Sequence, residues 1–334
     1  MEIYFSTVFR YAPIDQAGEL VKLDWAEKQV VSKVSVAPRS LQFSDPNPRG
    51  NSRGGRGIAI IDGKIIVAGY CELQVYDQQL NHLRNITHSL MSGLHEVYHA
   101  GENRLWVTST TLNAGLLFDI DTGELLDEVW PQEIPAFKQC WNLTPLQLDR
   151  SVDNRIRYLA KNIVKDPSHL HFNAITSFRG DLYGLFNRFG AVVNLNRQEV
   201  IFEDRSIYGA HNLIILPDGT IFVNDTRNQG VNIYNMDGRL VKRIDLLPFH
   251  KASRKVKQYK RADPARKLLG ALGLPRQDVV MPFFVRGLDI KDDLLFIGMS
   301  PAAILCVNWE TGKHVDTYDY TDDARKAIHG LHIN

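Results

Sequence analysis

Short runs in which apolar and polar residues alternate follow one another along most of the chain, and tight turns separate them. One example is the run 56–61, which is followed by the turn Asp62-Gly63 and the run 65–70. Alternation with a period of two predicts strands with one buried face, and a turn that contains glycine predicts a hairpin. The pattern therefore predicts an all-β fold made of consecutive antiparallel meanders. It recurs in the segments 95–130, 171–205, 211–247 and 286–320.

A short phrase opens the first strand of each meander, with His or Arg first, a small or polar residue second and an apolar residue third. Its six copies begin at Arg56, His95, Phe172, His211, Arg286 and His329. Phe172 departs from the pattern, but His171 directly precedes it. Three intervals between copies are 39, 39 and 43 residues long. Because a propeller blade takes about forty residues, the repeat predicts a β-propeller of six blades.

The two ends of the chain each supply an incomplete blade. Residues 2–38 contain only three strand-like runs, and the last copy of the phrase, from His329 to Asn334, stands alone. Pairing these pieces would complete four strands, close the ring and leave no open sheet edge. We therefore predict a six-bladed β-propeller closed by pairing of the C-terminal strand with the N-terminal blade, and a single domain over residues 1–334.

Two intervals between copies, 77 and 75 residues long, are about twice the usual length. Residues 131–170 and 248–283 lack alternating strands, however, and contain helix-like pieces at 152–165 and 264–272. This excludes two further blades. Both insertions join the outer strand of one blade to the inner strand of the next, on the face where the repeated His and Arg residues lie. We predict that they form lids over the channel mouth.

Composition narrows the classes of partner. The net charge is +1 and charged residues make up 23% of the chain, which gives no overall preference for nucleic acid or membrane. No apolar run approaches the roughly 18 residues of a membrane span. The three cysteines lack metal-type or disulfide-type spacing, which favours a reducing compartment. We predict a cytoplasmic protein with a small-molecule substrate, and neither a membrane nor a nucleic acid as partner.

Six-fold equivalence places the first residue of every copy at one level around the axis. Three imidazoles and two guanidiniums then converge on one channel, and the second position adds polar residues in three blades. Few acids and two arginines favour an anionic ligand, such as a carboxylate, phosphate or sulfate. The candidates for acid, base or nucleophile are His95, Glu96, His211 and His329. The candidates for substrate binding are Arg56, Arg286, Asn173, Asn212 and His171.

The residues predict an enzyme that acts on a small anionic or polar metabolite in the central channel, and two alternatives remain open. In the first, His95, His211 and His329 hold a divalent metal cofactor in a lyase or hydrolase, although the arginines would oppose the cation. In the second, the protein is a non-enzymatic scaffold that binds a partner through its rim. The basic segment from Lys251 to Lys267 would then be a partner contact, whereas in an enzyme it would attract an anionic substrate. An ordinary solvated face explains that segment equally well.

The series of blade signatures resembles an uncharacterised family of bacterial six-bladed propellers, over roughly His95 to Ser300. The resemblance implies the fold and a His/Arg-lined axis, and it implies no activity. A more distant likeness is to arylsulfotransferase-type propellers, which use a histidine nucleophile, and another is to gluconolactonase-type propellers, which hold calcium on the axis. The residues that carry the first resemblance are His95-Glu96-Val97, the segment 169–175, Gly209-Ala210-His211-Asn212 and the segment 284–288. Those that imitate the calcium site are Glu96, Asn173, Asn212 and Asp289.

Overall fold

The computed structural model describes residues 1–43, 54–159, 165–273 and 284–334. Within these ranges, six four-stranded antiparallel sheets form a ring. The chain is therefore a six-bladed β-propeller, as the repeat predicts. The strands are β1 (Glu2–Phe9), β2 (Glu19–Asp24), β3 (Gln29–Ser35), β4 (Ile58–Ile61), β5 (Lys64–Ala68), β6 (Leu73–Tyr76), β7 (His82–Ile86), β8 (Leu94–His99), β9 (Arg104–Ser109), β10 (Ala114–Asp119), β11 (Leu125–Val129), β12 (Phe172–Phe178), β13 (Asp181–Phe186), β14 (Ala191–Asn194), β15 (Glu199–Glu203), β16 (His211–Ile215), β17 (Ile221–Asp225), β18 (Gly230–Tyr234), β19 (Leu240–Asp245), β20 (Val285–Lys291), β21 (Leu294–Met299), β22 (Ala303–Asn308), β23 (His314–Asp319) and β24 (Lys326–Ile333).

Blades 2 to 6 are meanders whose first strand is innermost, whereas blade 1 is assembled from both ends of the chain. Its strand order is β24-β1-β2-β3, and the pairing of β24 with β1 runs from Ile3 opposite Ile333 to Phe9 opposite Lys326. The predicted closure is confirmed. The closing strand also contributes to the core between blades 6 and 1, where Ile328 and Leu331 pack with Phe296.

The hydrophobic core is divided among the interfaces between neighbouring blades. Leu73 of blade 2 and Phe118 of blade 3 belong to one cluster, and Phe222 of blade 5 and Leu305 of blade 6 belong to another. All four are at most 1% exposed. Burial of one such side chain contributes roughly 1.5–3 kcal/mol to folding. Each blade is therefore held mainly by its two neighbours, and the ring positions the residues at its axis.

The described residues of the two insertions contain three α-helices, namely α1 (Pro135–Trp141), α2 (Asn154–Tyr158) and α3 (His250–Ala271). Phe137 of α1 is fully buried in the core between blades 3 and 4. The third helix begins at His250, well before the predicted start at Pro264, because the stretch before that proline is rich in Lys, Arg and Ala, which favour helix. Residues 160–164 and 274–283 lie outside the described residues, and the role of both insertions as lids stays a prediction.

Candidate functional site at the propeller axis

A β-bulge interrupts the ladder at the repeated phrase in five of the six inner strands. The register shifts between Leu94 and Val97, between Phe172 and Ala174, between His211 and Leu213, between Val285 and Leu288, and around His329. A bulge leaves one or more residues unpaired and changes the direction of their side chains. The residues released in this way include most of the predicted site, namely His95, Glu96, Asn173, Asn212, Arg286 and His329.

Polar side chains on the second strands tie each bulge to the neighbouring blade. The Ser6 hydroxyl donates to the carbonyl of Arg56 at 2.6 Å and accepts from the Gly330 N–H at 2.9 Å. At the equivalent position in blade 3, the Thr108 hydroxyl donates to the carbonyl of Asn173 at 3.0 Å. The sequence did not predict the contacts of Ser6 and Thr108, because both residues lie outside the repeated phrase. The signal that could have predicted them is a polar residue in the middle of an otherwise apolar strand.

The glycines in the second position of the phrase allow neighbouring inner strands to approach each other. A Cβ atom at Gly330 would lie 2.0 Å from the carbonyl oxygen of Arg56, and one at Gly57 would lie 2.7 Å from the Val97 nitrogen. Real Cβ atoms do not approach a backbone atom so closely, so only glycine fits these positions. The close inner-strand packing expected from these glycines is therefore observed between blades 1, 2 and 3.

The three repeated histidines converge on the axis. Their ring centroids are 4.6 Å apart for His95 and His329, 5.1 Å for His95 and His211, and 6.1 Å for His211 and His329. Each residue is at most 8% exposed. His171 lies at the edge of this group, with its ring centroid 6.4 Å from that of His95. The structure thus brings the predicted residues together, and their chemical roles stay predictions.

The histidines near the axis differ in how their ring nitrogens are used. The Nδ1 of His211 lies 2.7 Å from the carbonyl of Gly209, so this nitrogen carries the proton and Nε2 keeps its lone pair. Both nitrogens of His169 are paired: Nε2 lies 3.2 Å from the carbonyl of Thr111, and Nδ1 accepts from the His171 N–H at 3.1 Å. His169 therefore has a complete structural role, and its repeat position gave no sign of it.

Among the His and Glu side chains at the axis, three polar atoms are buried without a hydrogen-bond partner in the described part of the chain. They are Nδ1 of His95, Oε1 of Glu96 and Nδ1 of His329. The first two lie 3.9 Å apart. A buried polar group without a partner costs about 1–3 kcal/mol, and such groups are scarce in native proteins. Three of them in one place make this cluster the candidate position for a ligand or ion.

Arginine side chains provide the charge around this cluster. Arg56 is buried, and its Nη1 donates to the carbonyl of Gly69 at 3.4 Å. The guanidiniums of Arg286 and Arg10 each lie 5.1 Å from the centroid of the Phe284 ring. Arg10 directly follows β1, outside the repeated phrase, and was therefore missed in the sequence. In the described part of the chain, the guanidiniums of Arg56, Arg286 and Arg10 thus act on His329, and Arg56 and Arg286 act on the carboxyl group of Glu96.

Burial sets the protonation of the cluster. It lowers the pKa of His95, His211 and His329 well below the ordinary value, and the arginines lower it further for each of them. It raises the pKa of Glu96 to about 8, against the opposing effect of Arg286 and Arg56. At neutral pH the imidazoles are therefore neutral and most Glu96 carboxyls carry a proton. Such a group of residues can donate and accept hydrogen bonds within a positive field.

The two asparagines of the predicted site also hold blades together. The Asn173 amide donates to the carbonyl of Ala210 at 2.9 Å. The side-chain oxygen of Asn212 accepts from the Asn224 amide at 2.8 Å and from the Gly287 N–H at 3.0 Å. Substrate binding by these asparagines stays a prediction, because these contacts already give both side chains a structural use.

A cavity of about 340 Å³ lies along the axis beyond the cluster, and Glu96 forms part of its wall. The other lining residues follow Glu96 and its equivalents along the inner strands, up to His99 and Ser177. Both insertions end just before an inner strand begins, so they lie at the face where the inner strands start. The cavity is lined by later residues of these strands and therefore extends toward the opposite face. The open space on the axis and the predicted lids lie on different sides of the histidine cluster.

Two solved structures have a fold similar to that of this chain. A protein of unknown function from Bacteroides caccae is 11% identical, with a TM-score of 0.57, and the match covers 99% of this chain and 97% of that one. A chain of the nidogen/laminin complex is 8% identical, with a TM-score of 0.56 and the same coverage of both chains. No family model and no curated protein matches the sequence.

The class is therefore a six-bladed β-propeller with a polar cluster on its axis. At such low identity the two structures support the fold alone. The resemblance to one particular bacterial family stays a prediction, although the fold that it implied is confirmed. In the described ranges, no helix combines the length and apolar character needed to cross a membrane.

Proposed function

We propose that the protein is an enzyme that binds a small anionic metabolite at the propeller axis and transfers a proton to or from it. One observation carries the proposal: His95, Glu96 and His329 present buried polar atoms without partners to one another, beside Arg56 and Arg286. An anion that entered this cluster would complete these hydrogen bonds and balance the charge of the guanidiniums.

The sign of the charge favours an anion. Two unit charges 4 Å apart interact by about 4 kcal/mol at an effective dielectric constant of 20. An arginine at such a distance attracts an anion and repels a cation with an energy of this order. Because the neutral imidazoles add no charge of their own, the arginines determine the sign of the field.

Proton transfer follows from the shifted protonation. Glu96, whose pKa burial raises to about 8, can donate its carboxyl proton to the ligand, and Arg56 and Arg286 would stabilise the carboxylate that remains. His95, neutral and 3.9 Å from Glu96, can accept a proton. A bound anion would raise the pKa of both groups, which keeps Glu96 protonated and makes the histidines stronger bases.

Calorimetric titration of the protein with phosphate, sulfate and acetate tests this proposal. We expect one site per chain, and Arg286→Gln and His329→Gln should each weaken binding at least tenfold, which corresponds to the loss of one charge-assisted hydrogen bond. Arg197→Gln is the matched control, because Arg197 pairs with Asp181 on the surface. If none of the anions binds, or if the control weakens binding as much as the axial variants, the proposal is wrong.

A divalent metal is the second candidate, because His95, Glu96 and His329 place ligand atoms within 4.8 Å of one another. His211, which was predicted as the third ligand, is not in this group. Two imidazoles and a carboxylate form a common ligand set for zinc or iron, although the arginines oppose a cation here. Metal analysis after purification without chelators separates the two candidates. One equivalent of metal that is lost in His329→Gln would favour the metal.

A further inference from the structure

The pairing that closes the ring also brings Arg10 to the axis. Arg10 directly follows β1, and its backbone N–H donates at 3.0 Å to the carbonyl of Arg325, which directly precedes β24. Only 7% of Arg10 is exposed. Charged side chains are seldom buried to this extent without a specific use. Ring closure thus positions a guanidinium that the repeated phrase does not supply.

Two guanidiniums lie against one aromatic ring where blades 6 and 1 meet. The guanidinium carbons of Arg10 and Arg286 are each 5.1 Å from the centroid of the Phe284 ring, so at most twice this distance separates them. The ring face attracts both cations, whereas the two cations repel each other. An anion that lies near both guanidiniums interacts favourably with each of them.

A buried hydroxyl lies beside the same aromatic residue. Ser300 directly follows β21 and is fully buried, and its N–H donates to the carbonyl of Phe284 at 3.0 Å. At the equivalent position in two other blades, the hydroxyls of Thr110 and Thr226 donate to a carbonyl of the next blade at 2.7 and 2.8 Å. The Ser300 hydroxyl has no hydrogen-bond partner in the described part of the chain. It is therefore available as a donor to a ligand.

The two faces of the propeller differ in charge near the axis. Arg10 and Arg286 both act on His329, at the face where the inner strands start. The cavity toward the opposite face is lined by the carboxyl groups of Glu96 and Asp289, and no Lys or Arg is among its described lining residues. An anion is therefore favoured at the face where the inner strands start.

Building on the proposed function, we propose that the anionic group of the ligand is a doubly charged phosphoryl group, as in a phosphate monoester, bound between blades 6 and 1. Arg10 and Arg286 bind its oxygens, and the Ser300 hydroxyl donates a further hydrogen bond. Guanidiniums match phosphate oxygens in geometry, and two of them on different blades suit two negative charges better than one. His329, on which both arginines act, links this group to the unpaired polar atoms at the axis.

Methyl phosphate and methyl sulfate test the inference by calorimetric titration at pH 7.5, because they have nearly the same shape and differ in charge. Methyl phosphate carries nearly two negative charges at this pH, since the second pKa of a phosphate monoester is about 6, whereas methyl sulfate carries one. We expect one site per chain and at least tenfold tighter binding of methyl phosphate than of methyl sulfate.

Two variants test the residues. Arg10→Gln should weaken methyl phosphate binding at least tenfold and methyl sulfate binding by a smaller factor, because the Coulomb energy scales with the charge of the ligand. Ser300→Ala, a small change that carries little risk to folding, should weaken methyl phosphate binding about tenfold. Arg197→Gln and Ser35→Ala are the matched controls, because Arg197 pairs with Asp181 on the surface and Ser35 is exposed on β3. Urea denaturation verifies that each variant is folded.

The outcomes separate this inference from the proposed function. Anion binding that depends on Arg286, with equal affinity for the two esters, would overturn the inference and leave the proposed function standing. Methyl phosphate binding that is unchanged in folded Arg10→Gln or in Ser300→Ala overturns it as well. Should Arg10→Gln fail to fold, the preference of the wild type and the effect of Ser300→Ala still decide. If neither ester binds, and phosphate, sulfate and acetate do not bind either, both proposals are overturned.

Discussion

Two groups of histidines are buried near the axis, and they differ in one respect. His169 has a pKa lowered by burial to about 4, and His95 and His329 also have strongly lowered pKa values. Both nitrogens of His169 are nevertheless paired with the backbone, whereas Nδ1 of His95 and Nδ1 of His329 have no partner in the described ranges. A lowered pKa therefore does not distinguish a structural histidine from a candidate ligand-binding one. The two kinds are distinguished by whether the ring nitrogens have hydrogen-bond partners.

The largest expected effect on stability comes from displacing the unpaired cluster, which consists of Nδ1 of His95, Oε1 of Glu96 and Nδ1 of His329. In Gly330→Ala the new methyl group would meet the Arg56 carbonyl at 2.0 Å, so that β24 must shift away from blade 2 and carry His329 with it. We expect a loss of about 3–5 kcal/mol in the free energy of unfolding. Urea denaturation measures it.

The control is Gly101→Ala in an exposed turn, where a Cβ atom would meet nothing within 4 Å. That glycine has a positive φ, so we expect about 1 kcal/mol of backbone strain there. Equal losses in the two variants would show that the close approach of blades 1 and 2 does not hold the cluster.

The second effect is the pH dependence of stability that Glu96 contributes. Burial raises the pKa of Glu96 from 4.5 to about 8, so the folded state binds this proton more tightly than the unfolded state. The stability that the proton supplies is complete below pH 4.5 and is lost as the pH rises to about 8. The amide introduced by Glu96→Gln cannot ionise, so this variant should become progressively more stable than the wild type over this range.

Urea denaturation of both proteins at pH 5, 6, 7 and 8 measures the difference. We expect it to increase with pH by up to about 1.4 kcal/mol per unit and to reach a few kcal/mol. The histidines with lowered pKa values, which include His95, His211, His329 and His169, act in the opposite direction below their ordinary pKa, but they are common to both proteins. A difference that does not change with pH would mean that Glu96 ionises normally in the fold.

The sequence predicts the ring and misses the details that create the unpaired cluster. Alternation and Asp-Gly turns are local signals, so the blades, their number and their closure follow from them. The convergence of His95, His211 and His329 follows from equal spacing. The bulges do not, because they depend on contacts between blades, such as that of Ser6 with Arg56.

The difference between His169 and His171 also lies outside any repeat. The spacing favoured His171, which precedes Phe172, but the structure places His169 in contact with Thr111 and gives His171 a left-handed backbone with φ of 54°. Which of the two neighbouring histidines pairs with the backbone depends on this local turn. The repeat does not predict which histidine pairs with the backbone. It also does not predict that Arg10 lies near the axis, because Arg10 is outside the repeated phrase.

The comparison can be tested by making the same substitution in both groups. His169→Leu would remove the imidazole that pairs with the carbonyl of Thr111 and with the N–H of His171. Each buried group that loses its partner costs about 1–3 kcal/mol, and the Asn113 side chain still accepts from the His171 N–H at 2.9 Å. We therefore expect a loss of about 2–3 kcal/mol in the free energy of unfolding. His82→Leu on the outer strand β7 is an exposed control, and an equal loss there would contradict the role of the pairing.

The smallest effect on stability, and the sharpest contrast, is expected for His329→Leu. The substitution removes a buried Nδ1 that has no partner in the described residues and replaces it with an apolar side chain of similar volume. Exchanging an unpaired polar group for an apolar one is close to neutral or stabilising, so the free energy of unfolding should change by less than about 1 kcal/mol. Anion binding should fall at least tenfold in the same protein, because one ligand-facing nitrogen is gone. Denaturation and titration of one preparation measure both quantities. A loss of stability as large as that of His169→Leu, with binding intact, would show that His329 is a structural residue and that the two groups of histidines do not differ.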